Sequence, residues 1–154
     1  MLLDLLNEET IKICSEAKDW KEAGKIAGQP LIDTDKIEGK YVDAMIESVE
    51  KYGPYIVIAP GIALFHGRPE DGVKSMCMSL AVFKEGVIFN VDDKDPVKLV
   101  FVLGASDNES HLKVLSEAMI LLQDNDVIDR IISSDKVDEI VEIIKNKLMF
   151  DKES

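Results

Sequence analysis

Residues 97–109 carry the sequence VKLVFVLGASDNE, which decides how the rest of the chain is interpreted. Its first seven residues are apolar except for Lys98, and such a run is typical of a strand buried on both faces of a sheet. Gly104 ends the run, and Ser106 to Glu109 then have the spacing of a capping box at the start of a helix. The stretch therefore predicts a central strand that leads directly into a helix.

The carboxyl-terminal part of the chain continues with helical spacing. The predicted helix after the capping box has an apolar face made of Leu112, Leu115, Met119 and Leu122. Two shorter helical patterns follow at 127–132 and 137–148, and Ser134 or Asp135 is the expected cap of the second.

The segments before residue 97 alternate between strand and helix patterns. Asp19 is the expected N-cap of the first helix, and Gly53-Pro54 stops the second. Lys84-Glu85-Gly86 lies between two apolar stretches and predicts a tight hairpin. The class is therefore α/β. Strands are predicted at 10–14, 55–58, 62–64, 75–83 and 87–89, and helices at 20–31 and 39–51.

Length and charge limit the kinds of function. The 154 residues, 46% of them hydrophobic and 31% charged, predict one globular domain over 1–154. Thirty acidic against 18 basic residues give a net charge of -12, which disfavours nucleic acid and anionic membrane surfaces and favours a protein partner with a basic docking face. No secretion signal or membrane segment is predicted, and Cys14 and Cys77 lack metal or redox spacing, so a cytoplasmic location is expected.

Two histidines, His66 and His111, are the candidates for chemistry. Each follows the end of a predicted strand, where α/β sheets gather ligands, so the two side chains are expected to share a cleft. A neutral imidazole is a nucleophile, and Arg68 with main-chain N–H groups near Gly67 would balance charge on a transferred phosphoryl group. From the residues alone, His66 is more often a hydrogen-bonded structural histidine, His111 a polar first-turn residue and Arg68 a solvated charge. No metal or cofactor is predicted.

Two segments of the chain resemble a known family. Residues 53–70, GPYIVIAPGIALFHGRPE, and residues 103–112, LGASDNESHL, are similar to the two histidine segments of fructose/mannitol-type enzyme IIA proteins of the phosphoenolpyruvate-dependent sugar phosphotransferase system. The ascorbate-specific branch is the most similar, and the resemblance spans nearly the whole chain. It implies a mixed, mostly parallel sheet flanked by helices on both faces.

The resemblance also implies a function for the two histidines. His66 would accept a phosphoryl group from the general histidine phosphocarrier protein, with His111 in support, and pass it to a cysteine of an enzyme IIB for uptake of ascorbate or a related sugar. The chain would then be a phosphotransferase, with Gly67 and Arg68 beside the transferred group. The alternative is a free-standing regulatory relative whose phosphorylation state is detected by another protein.

Two positions distinguish the chain from parts of this family. The family usually has proline before the active histidine, where this chain has Phe65, so the backbone and the partner-facing surface of the loop are expected to differ. The mannitol branch has an arginine at the position of Ser48, whereas the ascorbate branch has one two residues after the histidine, as Arg68 is here.

Overall fold

The computed structural model describes residues 2–153, which form five strands and six α-helices. The strands are β1 (Ile11–Cys14), β2 (Val57–Ala59), β3 (Ile62–Phe65), β4 (Cys77–Val87) and β5 (Val97–Gly104). The helices are α1 (Leu2–Leu5), α2 (Trp20–Asp33), α3 (Gly39–Tyr52), α4 (Asn108–Leu122), α5 (Asn125–Ser133) and α6 (Val137–Glu153). The predicted N-cap of α2 is confirmed, because the Asp19 side chain accepts a hydrogen bond from the N–H of Glu22.

The strands form one mixed sheet in the order β1-β4-β5-β3-β2. β5 is its middle strand, as the apolar run predicts. β1 is parallel to β4 and β3 is parallel to β5, whereas the β4–β5 and β2–β3 pairs are antiparallel. Because β3 and β5 point the same way, their carboxyl ends lie at the same edge of the sheet.

Helices cover both faces of the sheet, which confirms the predicted mixed α/β class. Residues of β5 alternate between two apolar layers: Val100 and Val102 pack with α2 and α3, whereas Phe101 and Leu103 pack with α1, α4, α5 and α6. This alternation follows from the two-residue period of a strand. Both layers need apolar side chains, which explains why the sequence of β5 has almost no polar interruption.

The hairpin predicted at residues 84–86 is wrong, because β4 runs unbroken through this triplet to Val87. Gly86 has a φ of 78°, and the pairing of β4 with β5 shifts register between Val82 and Val87. The glycine thus permits an irregularity inside the strand, which a turn signal in the sequence does not distinguish from a reversal. The chain reverses after Val87 instead, where the Asp95 carboxylate accepts hydrogen bonds from two backbone N–H groups at 2.8 Å each.

Helix α4 differs from the prediction in its cap and in its buried face. Its N-cap is Asp107, whose side chain accepts a hydrogen bond from the N–H of Ser110 at 2.7 Å, so the predicted Ser106 cap is one residue early. The buried residues of α4 are Val114, Ala118 and Leu121, whereas Leu112 of the predicted face is 64% exposed. The small side chain of Ala118 allows this face to pack closely. A prediction based on the spacing of large apolar residues does not identify this face.

Candidate functional site

The two histidines meet at the carboxyl-terminal edge of β3 and β5. His66 directly follows β3, and His111 lies in the first turns of α4, four residues after the Asp107 cap. Their ring centroids are 6.2 Å apart and the rings cross at 68°. The parallel strand ends therefore bring the two side chains next to each other, as the sequence predicts.

The ring of His66 is held by its own strand. Its Nδ1 atom lies 2.9 Å from the carbonyl oxygen of Leu64. A carbonyl oxygen only accepts hydrogen bonds, so Nδ1 is the protonated nitrogen and Nε2 of the neutral ring keeps its lone pair. Tyr55 packs edge-on against the same ring, with 5.8 Å between centroids. His66 therefore has a fixed orientation and one nucleophilic nitrogen.

His111 is half-buried beside His66. Burial is the main cause that lowers the pKa of His111 from its ordinary value of 6.5, and the charge of His66 lowers it further. At neutral pH the His111 imidazole is consequently uncharged, so it can both donate and accept a hydrogen bond. Such a ring can contact a phosphoryl oxygen through its N–H group without placing a positive charge next to His66.

The loop after His66 is tied to the core by a tyrosine. The N–H of Gly67 donates to the hydroxyl oxygen of Tyr41 at 2.9 Å, and that hydroxyl donates to the carbonyl oxygen of Leu103 at 2.7 Å. The sequence suggested main-chain N–H groups near Gly67 as partners of a transferred group. In this conformation the N–H of Gly67 already has an acceptor, the hydroxyl of Tyr41, so it is not free to contact a transferred group.

Arg68 lies on an open groove next to His66. Its guanidinium contacts the Asp71 carboxylate through Nε and Nη2, at 3.3 Å each, and Nε is 3.7 Å from the Glu70 carboxylate. The side chain is 74% exposed, so these ion pairs are exchangeable. The groove has a volume of about 690 Å³, and Ser48 and Lys51 also line it.

Phe65 has a different role from the one that its sequence position suggested. Its side chain is only 1% exposed, so Phe65 itself forms no part of a partner-facing surface, and the expected difference in the backbone of the loop stays a prediction. The ring points into the layer of α2 and lies 6.1 Å from the ring of Phe89, centroid to centroid. A Cβ atom added to Gly24 would lie 2.8 Å from Cζ of Phe65. A glycine on α2 thus makes room for the large side chain before His66.

Sequence reasoning missed two tyrosines of the site. Tyr41 lies on the apolar face of α3 and is indistinguishable there from a core residue. The only available signal was general, namely that a buried tyrosine hydroxyl needs a hydrogen-bond partner. The sequence predicts a strand at Tyr55, whereas this residue precedes β2. Its side chain is 47% exposed, and its ring contacts the ring of His66. The sequence around each tyrosine does not indicate which groups its side chain contacts.

The assembled groups suit the transfer of an anionic group between proteins. A histidine with one free nitrogen lies at the surface beside an uncharged second imidazole and an exposed arginine. Arginine is well suited to bind phosphoryl oxygens, because its planar guanidinium donates several hydrogen bonds. An open groove next to the histidine leaves room for a side chain of a second protein. No helix within residues 2–153 combines the length and apolar character needed to cross a bilayer.

Comparisons with known proteins agree with this geometry. The family model "Phosphoenolpyruvate-dependent sugar phosphotransferase system, EIIA 2" matches residues 4–147. The ascorbate-specific PTS system EIIA component of Escherichia coli (strain K12) is 38% identical over 141 residues, covering 91% of this chain and 92% of the relative. The corresponding protein of Salmonella typhimurium is 37% identical over the same lengths. The resemblance predicted from the two histidine segments is confirmed.

Solved structures give the same result for the fold. The mannitol-specific cryptic phosphotransferase enzyme IIA CmtB of Escherichia coli is 32% identical with a TM-score of 0.86, covering 94% of this chain and 98% of that one. Enzyme IIAMTL of Escherichia coli, in its complex with phosphorylated enzyme IIBMTL, is 28% identical with a TM-score of 0.80, covering 92% and 99%. The sheet and the helices on both of its faces are thus those of mannitol-type EIIA proteins.

Proposed function

The chain belongs to the EIIA 2 family of the phosphoenolpyruvate-dependent sugar phosphotransferase system, and from this premise we propose that His66 is its phosphoryl acceptor. Members of this family are phosphotransferases that carry a phosphoryl group. The donor is the general histidine phosphocarrier protein. The acceptor is a cysteine of an enzyme IIB, in the uptake of ascorbate or a related sugar. This exchange takes place in the cytoplasm.

One observation carries the choice of His66. The bond between its Nδ1 and the carbonyl oxygen of Leu64 fixes the tautomer in which Nε2 is unprotonated. The groove next to the ring is open and has a volume of about 690 Å³, which gives access for a partner protein. His111 has the lowered pKa of a half-buried ring, and it supports the reaction as an uncharged hydrogen-bond partner.

The transfer itself needs no cofactor. Nε2 of His66 attacks the phosphorus of the donor phosphohistidine, the new N–P bond forms, and the old N–P bond breaks with its electron pair left on the donor ring. In the second step a cysteine thiolate of enzyme IIB forms an S–P bond, and the electron pair of the His66 N–P bond returns to Nε2. Throughout, phosphorus stays at one oxidation state, and positioning and charge stabilisation supply the catalysis.

Arg68 and Gly67 are the proposed neighbours of the phosphoryl group. Arg68 is tethered to Asp71 by exposed ion pairs, which cost little to exchange for contacts with phosphoryl oxygens. The Gly67 backbone follows His66 without a side chain, and a Cβ there would lie 3.2 Å from Cε1 of Tyr41. The backbone at Gly67 therefore stays close to the core while the ring before it remains accessible.

The proposed partners agree with the charge of the chain and with its relatives. A net charge of -12 favours association with basic docking faces. The structural neighbour from Escherichia coli was solved in complex with a phosphorylated enzyme IIB, which is the class of acceptor proposed here. The substrate class follows the relatives at 35 to 38% identity, which are ascorbate-specific.

Labelling with phosphoenolpyruvate, enzyme I and the general phosphocarrier protein tests this proposal. Intact-mass analysis under neutral conditions should detect one added acid-labile phosphoryl group, and peptide mapping should place it on His66. His66→Ala should take up none and keep its circular dichroism spectrum, because a partly exposed side chain contributes little to folding. The matched control His111→Ala should still be labelled, with slower transfer. Label that persists in His66→Ala would overturn the assignment.

Onward transfer distinguishes the transport role from a regulatory one. The labelled protein is mixed with the cognate enzyme IIB and with its variant in which the acceptor cysteine is serine. Phosphoryl loss from His66 only with the cysteine-containing enzyme IIB supports the carrier role. Stable retention of the label with every enzyme IIB tested would exclude the carrier role and support the regulatory alternative.

A further inference from the structure

The hydroxyl of Tyr41 lies in the protein interior and is hydrogen-bonded to the backbone directly after His66. The side chain is fully buried in the layer that α3 packs against the sheet. Its hydroxyl oxygen accepts from the N–H of Gly67 at 2.9 Å and donates to the carbonyl oxygen of Leu103 at 2.7 Å. Burial raises the pKa of this hydroxyl above its ordinary value of 10, so it keeps the proton that it donates. Both hydrogen bonds therefore persist over the physiological pH range.

The two partners of this hydroxyl belong to the two segments that carry the histidines. Gly67 directly follows His66, whereas Leu103 lies near the end of β5, the strand that leads to α4 and His111. The partners are 26 and 62 residues away from Tyr41 in sequence. One side chain thus connects the backbone beside the first histidine to the strand that positions the second.

The ring of Tyr41 is confined by close backbone contacts. A Cβ atom on Gly67 would lie 3.2 Å from its Cε1 atom, and one on Gly72 would lie 3.0 Å from its Cβ atom. Glycines at these two positions therefore let the loop approach the Tyr41 side chain closely, at the ring and at its Cβ atom.

We propose that Tyr41 is a positioning residue, whose hydroxyl fixes the ring of His66 relative to that of His111 for phosphoryl transfer. The inference rests on the proposed function of His66. The ring contacts of the two histidines in residues 2–153 involve Tyr55 and each other, so Tyr41 acts through the backbone of Gly67 and Leu103. The pairing of β3 with β5 joins the two segments as far as Phe65 and Val102. Beyond that pair the hydroxyl adds one hydrogen bond to each segment, and without it the backbone next to the two histidines would tolerate small displacements. Displacements of about 1 Å can slow a positioned reaction by about 100-fold.

Tyr41→Phe is the direct test, because it removes one oxygen and keeps the ring. The rate of phosphoryl uptake at saturating donor should fall by about 10- to 100-fold. The KM for the donor protein should stay unchanged, because the buried hydroxyl has no access to a docking protein. The matched control is Ser79→Ala, which removes another fully buried hydroxyl, bound to the carbonyl oxygen of Ala27 at 2.6 Å. It should lower stability and leave the transfer rate unchanged.

Histidine titration by NMR supplies a readout that does not depend on activity. The pKa of His111 is lowered by burial and by His66, so it reports how closely the two rings are held. In Tyr41→Phe it should rise towards 6.5, and the amide resonance of Gly67 should lose its hydrogen-bonded shift. In Ser79→Ala neither should change. An unchanged His111 pKa together with an unchanged transfer rate in Tyr41→Phe would overturn the inference.

A second variant covers the case in which Tyr41→Phe does not fold. Gly67→Ala adds a methyl group against the Tyr41 ring and keeps the hydroxyl. It should also slow transfer and raise the pKa of His111, and an unchanged rate and pKa would overturn the inference. If wild-type protein takes up no label on His66, the proposed function fails, whereas normal wild-type labelling with full activity in the variants refutes only the role of Tyr41.

Discussion

Nδ1 of His66 lies 2.9 Å from the carbonyl oxygen of Leu64, two residues earlier in β3. The ring and the main chain thus form a short closed loop that fixes both the tautomer and the direction of the imidazole. The nitrogen that hydrogen-bonds within the chain is unavailable for chemistry, and the other nitrogen is available. Local backbone geometry therefore determines which atom reacts.

This contact predicts that phosphorylation of His66 occurs on Nε2. Phosphorylated protein labelled with 15N should show phosphorus coupling to Nε2 of His66 by NMR, with Nδ1 still protonated. The ring nitrogens of His111 are the internal control and should show no coupling. Coupling to Nδ1 of His66 would contradict the prediction, because it would require the bond to Leu64 to break.

The lowered pKa of His111 predicts a pH-dependent contribution to stability. In the unfolded chain the group titrates near 6.5, whereas burial and His66 lower its pKa in the folded protein. The contribution of His111 is therefore fully present above pH 6.5 and is lost as the pH falls through the folded pKa, because only the unfolded state takes up the proton early. Urea unfolding at several pH values between 7.5 and 5.5 measures this loss.

His111→Gln is the matched variant for this measurement, since it keeps a polar side chain without a titratable group. Its free energy of unfolding should fall less steeply towards low pH than that of the wild type. An equal pH dependence of the free energy of unfolding in the two proteins would mean that folding does not lower the pKa of His111. Folding of the variant can be checked at pH 7.5, where both proteins should unfold cooperatively.

The contact between Gly24 and Phe65 predicts an intolerance to one methyl group. Gly24→Ala would place a Cβ atom 2.8 Å from Cζ of Phe65, which is buried and cannot move freely. Overpacking of this kind costs about 1 to 3 kcal/mol of stability. The control is Gly39→Ala at the start of α3, where nothing lies within 4 Å of the added Cβ atom. It should be neutral or slightly stabilising, because alanine favours the helix.

Urea denaturation of both variants decides this prediction. A loss in Gly24→Ala that is absent in Gly39→Ala would confirm that the ring of Phe65 fills the space above the glycine. Equal stabilities in both variants would show that α2 or the ring moves aside without cost. The comparison also tests whether the residue before His66 is held by the core.

The sequence predicts those features that depend on burial and strand direction. The apolar run of β5 indicated a strand covered on both faces, and the parallel course of β3 and β5 brings His66 and His111 to one edge. The position of Tyr41 was not predictable in this way, because its partners are backbone groups distant in sequence. An apolar helix face indicates that a tyrosine is buried and leaves open which groups its hydroxyl binds.

The features predicted wrongly have a common physical cause, which is that local patterns permit more than one structure. A polar triplet with glycine at 84–86 is compatible with a turn and with an irregular strand. Tertiary partners decide between the two: the N–H of Glu85 donates to the carbonyl oxygen of Ser15 at 2.8 Å, and the ammonium of Lys84 reaches the end of α5. These partners come from distant parts of the chain, and the sequence of the triplet does not indicate them.

Lys84 provides the last prediction, which concerns the stability of β4 and α5. Its ammonium donates to the carbonyl oxygens of Ile132 and Ser134 at the end of α5, and it lies 3.8 Å from the Asp135 carboxylate. Lys84→Met keeps much of the side-chain length and leaves both carbonyl groups without this donor. Because unpaired and partly buried polar groups are unfavourable, the free energy of unfolding should fall by about 1 to 3 kcal/mol. Lys12→Met is the control, an exposed position on β1 where a change within about 0.5 kcal/mol is expected. Equal effects of the two substitutions in urea denaturation would mean that the carbonyl groups at the end of α5 are as well solvated without Lys84 as they are bonded with it.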